Sequence, residues 1–66
     1  MNNLEIAKYN LAVARNNLRV INAMFLRGLA KPSELWQARD EYERCLAEWG
    51  RAMREQEDTM SQERLS

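Results

Sequence analysis

Gly28-Leu29-Ala30-Lys31-Pro32-Ser33 is the one stretch of this 66-residue chain that reads as a turn. The whole sequence holds two glycines and one proline, and two of those three breakers fall within these six residues. Glycine reaches the left-handed conformation that commonly ends a helix, so Gly28 predicts the close of a first helix. Arg27 suits the negative end of its dipole, and Leu29 is placed to fold back onto Met24. A second helix restarts at Pro32-Ser33, either with the proline in its first turn or with the serine as its cap, and Glu34 stands beside its positive end.

Outward from the turn everything reads helical. Residues 4–27 and 33–56 are two segments of 24 residues, each about 36 Å of helix at the α-helical rise. A connection this short makes consecutive helices antiparallel neighbours. The predicted fold is therefore all-α, an antiparallel two-helix hairpin over about 3–28 and 32–58, within a single domain 1–58. Residues 59–66 lose the apolar stripe and are expected to fray or be disordered.

Heptads define the predicted core. Leu4, Leu11, Leu18 and Phe25 repeat every seven residues in the first helix, and Ala7, Ala14 and Ile21 each follow three later. In the second helix Leu35, Tyr42 and Trp49 take the large position and Ala38, Cys45 and Ala52 the small one, with Leu46, Met53 and Met60 widening the stripe. Antiparallel pairing sets Phe25 near Leu35, Leu18 near Tyr42, Ala14 near Cys45 or Leu46, and Leu11 near Trp49.

The hairpin does not use every apolar residue. Ile6, Val13 and Val20 repeat at seven-residue spacing about 150° around the first helix from its leucines, joined by Tyr9 and Ala23. Between the two lines run Asn3, Asn10 and Asn17, ending at Met24; these amides either fix register against a neighbour or are solvated. Trp36 lies off the seam of the second helix, and aromatic residues are enriched among interface anchors. Ile6, Tyr9, Val13, Val20, Met24 and Trp36 are thus the predicted partner or dimer interface. The occupant is either a second copy, completing a four-helix bundle, or the groove of a larger helical protein.

Composition excludes much else. Ten basic and ten acidic residues leave no net charge, although residues 1–30 carry four basic and one acidic side chain and residues 31–66 six and nine. Such balance lacks the basic footprint of a nucleic-acid binder. The alternative reading is a small dimeric regulator touching nucleic acid through the first helix's basic edge, Lys8, Arg15 and Arg19. Without histidine, the lone Cys45 has no base to make it a nucleophile, and the usual zinc and copper spacings cannot be written. No catalytic residue, metal site or cofactor is predicted, and the chain reads as a non-enzyme. The longest apolar runs are four residues, too short for a signal sequence or a membrane span. Residues 4–27 have too few cations to read as a membrane-surface helix. A lone thiol without an export signal fits the cytoplasm.

Residues 27–37, Arg-Gly-Leu-Ala-Lys-Pro-Ser-Glu-Leu-Trp-Gln, in a chain opening Met-Asn-Asn-Leu-Glu, resemble the hairpin turn of the small co-chaperones of type III secretion needle subunits. That resemblance implies a cytoplasmic hairpin that binds a helical-repeat chaperone and helps to keep a needle subunit from polymerising early. Pro32 and the unbroken first helix depart from that pattern. The same stretch, with Ala38, Tyr42 and Ala47, also resembles the helical-hairpin repeats of outer-membrane efflux proteins. The functional expectation is a protein–protein interaction module, an adaptor, co-chaperone or inhibitor, that masks an apolar surface on a partner, as a homodimer.

Overall fold

A computed structural model describes the backbone of residues 2–65 and the side chains of residues 2–57. It is an all-α hairpin of two helices, α1 (Asn3–Leu26) and α2 (Pro32–Leu65), with overall dimensions of 57 × 17 × 13 Å. Among the described residues there is no strand.

Local chemistry sets the helix ends. Asn2 has extended backbone, φ −84° and ψ 170°, and its side-chain oxygen accepts the Glu5 N–H at 2.8 Å, so one of the unpaired donors of the first turn is satisfied. Its carbonyl accepts the Ile6 N–H at 3.1 Å. At the far end Gly28 has φ +76° and donates its N–H to the Phe25 carbonyl at 3.0 Å, while the Leu29 N–H returns to the Met24 carbonyl at 2.8 Å. This pair of bonds is the Schellman closure that Gly28 predicts. The backbone of Leu29 folds back as expected, but its side chain stays 67% exposed.

Pro32 is the first residue of α2, which selects the proline over the serine cap. Its lost N–H would have no intrahelical acceptor there. The Lys31 carbonyl accepts from Glu34 at 3.0 Å and from Leu35 at 3.3 Å, starting the ladder. α2 continues to Leu65, past the end near 58 set by the loss of apolar residues. No glycine or proline follows Gly50 to stop it. Ser66 and the side chains of residues 58–65, including Met60, lie outside the described residues, as does the fraying expected there.

The contact line between the helices is built from small side chains. Ala7, Ala14, Ala38 and Cys45 are buried, at 5–8% exposure, and among the described residues nothing larger is. Leu4, Leu11, Leu18, Ile21, Phe25, Leu35, Tyr42, Trp49 and Met53 are half-buried. Two helices touch along one line, and a side chain longer than cysteine reaches past it into solvent on one side or the other. Leu46 is a correction to the expected core, at 42% exposure. Cys45 faces α1, and its neighbour in sequence points about 100° away.

Candidate interaction site

Two helices side by side leave a groove on each face of the pair, and here the two are chemically unlike. One groove is floored by small residues: Ala14 opposite Cys45, and Ala7 opposite Ala52. Asn3, Asn10 and Asn17 line it from α1, and Glu41, Glu48 and Glu55 from α2, so two lines that the sequence spaces separately at seven residues meet across one cleft. Arg44 and Arg51 are interleaved with the carboxylates.

Electrostatics in this groove are local. Arg44 forms a salt bridge with Glu41 one turn away, which holds the Glu41 carboxyl below its ordinary range and the guanidinium above its own. Cys45 Sγ donates weakly to Glu41 Oε1 at 3.9 Å. Burial, with the nearby Glu41 and Glu48 carboxylates, pushes the thiol's pKa up. An upward shift is the opposite of what nucleophile activation needs.

The other groove is apolar and basic. Leu18, Leu35 and Tyr42 line it, Trp36 stands at its side 65% exposed, and Arg15, Arg19 and Arg39 surround it together with Asn22. Arg39 pairs with Glu43 at 3.4 Å, and Arg19 donates to the Asn16 amide oxygen at 3.1 Å. Lys8 does not line this groove, so only two members of the predicted basic edge share it.

A third surface is the edge of α1 turned away from α2. Ile6, Tyr9, Val13 and Val20 are 43, 67, 52 and 46% exposed there. Ile6 and Val13 also rim the asparagine–glutamate groove, whereas Trp36 belongs to the opposite one. The structure therefore does not join the six expected interface residues into one patch. Ile6, Tyr9, Val13 and Val20 share an edge of α1, Met24 is half-buried at the helix end, and Trp36 looks out on the other side. The Asn2 cap went unremarked in the sequence, although the spacing of Asn2 and Glu5 is that of a capping box.

Among the described residues no group of acidic or cysteine side chains is arranged to hold a metal ion, and no helix is long and apolar enough to cross a membrane. Comparison with protein-family models, curated proteins and solved structures finds no match.

Proposed function

We propose that this chain is a non-enzymatic interaction module of the cytoplasm, a helical hairpin that acts as adaptor, co-chaperone or inhibitor by covering an apolar surface on another protein, and that it works as a homodimer. The observation that carries this reading is the α1 edge: Ile6, Tyr9, Val13 and Val20 stand 43–67% exposed on a hairpin whose contact line, among the described residues, buries nothing larger than Cys45. Residues of this type in one line on a helix are a contact surface in want of a partner, because a monomer gains nothing by keeping them in water. The mechanism is occlusion, with the hairpin presenting a preformed apolar face and no reacting group.

The test is solution mass by light scattering across a dilution series, for the natural chain and for Val13→Asp. The expected result is a species near 15.6 kDa, twice the chain's 7.8 kDa, that Val13→Asp converts to a helical 7.8 kDa monomer. Unchanged association in the variant, at unchanged helicity, would overturn the reading.

A further inference from the structure

We infer that the outward edge of α1 is covered by the same edge of a second copy, antiparallel, with a twofold axis at Val13, so that the four helices lie in the order α2, α1, α1, α2. This rests on the interaction-module reading and names its partner.

The edge is self-complementary in one orientation. Ile6 and Val20 lie seven residues to either side of Val13, so an antiparallel pair places Ile6 against Val20 of the other copy and Val13 on the axis. Glu5 is the only acidic residue of α1 and is exposed at one flank of the edge. The same twofold brings it within about two residues' rise of the second copy's Arg19, twice over. A parallel pair would set Glu5 against Glu5 and Arg19 against Arg19. On the other flank Asn10 comes level with the second copy's Asn17, amide beside amide.

The rival arrangement is a closed bundle in which the apolar–basic grooves face each other. It would bring Arg15, Arg19 and Arg39 of both copies together, six cations against the two Glu43 carboxylates already paired with Arg39. Charge therefore favours the α1 edge.

The deciding experiment places single cysteines in a Cys45→Ala background and oxidises the protein in solution. Val13→Cys is expected to give a covalent dimer readily and Trp36→Cys, in the apolar–basic groove, none. In parallel, Glu5→Arg is expected to raise the dimer dissociation constant about three- to tenfold, with Glu5→Arg plus Arg19→Glu restoring it. Cross-linking at Trp36 and not at Val13 overturns this geometry while the interaction reading stands. A mass of 7.8 kDa at every concentration overturns the second copy as occupant of the edge.

Discussion

The two glycines carry opposite obligations. Gly28 has φ +76° in the turn, where an added Cβ would touch nothing within 4 Å, so the demand on it is conformational. Gly50 sits inside α2 in ordinary helical geometry, and a Cβ there also meets open space. Gly28→Ala should therefore lower stability by about 1–2 kcal/mol, the cost of the left-handed conformation for an L-residue. Gly50→Ala should raise it by about 1 kcal/mol through helix propensity alone. Urea unfolding followed by helical circular dichroism, at one fixed protein concentration, measures both. The closure of α1 was legible in the sequence because Gly28 has few rivals for the left-handed conformation, whereas the start of α2 was not, since Pro32 and Ser33 can each open a helix. Nor was the role of Gly50, since close approach of another backbone and simple tolerance leave the same letter. A loss of stability on Gly50→Ala would mean that another chain rests against that position.

At the scale of the helix, period reveals which residues share a face, but depth depends on size. The heptads identify the contact line, yet Ala7, Ala14, Ala38 and Cys45 are buried while the leucines beside them are half-buried. Leu46 extends the apolar stripe in the sequence, but with Cys45 facing α1 the next residue turns away from the contact line. α2 runs on to Leu65, past the expected end near 58, for a related reason. Apolar residues show where packing ends, whereas a helix needs only the absence of a breaker to go on. Because the helices meet on small side chains, enlarging one should force them apart. Ala14→Leu is expected to cost about 1–3 kcal/mol. Ala47→Leu, the same change at an exposed position of α2, should stay within about 0.5 kcal/mol. Thermal unfolding of the pair provides the comparison, and equal effects would mean that the contact line is not tightly packed.

For the whole molecule, the decisive fact lies in no single helix. Helical spacing places Ile6, Val13 and Val20 on a line of α1 and Trp36 off the seam of α2, but whether those features share a side depends on the hand with which the turn folds one helix onto the other. The structure places Ile6 and Val13 at the asparagine–glutamate groove and Trp36 at the apolar–basic one. Pairing through the α1 edge would then leave both Trp36 grooves open on the outside of the dimer, flanked by Arg15, Arg19 and Arg39. Local positive charge concentrates an anionic quencher and repels a cationic one. Trp36 fluorescence should accordingly be quenched more strongly by iodide than by caesium, and Trp36→Phe should remove that component and leave the half-buried Trp49. Trp36 should also stay equally accessible at concentrations above and below dimer dissociation, because its side chain lies outside the α1 contact. Protection of Trp36 that grows with protein concentration would instead put the subunit contact over the aromatic groove, and a partner protein would then have to be sought along the valine line of α1.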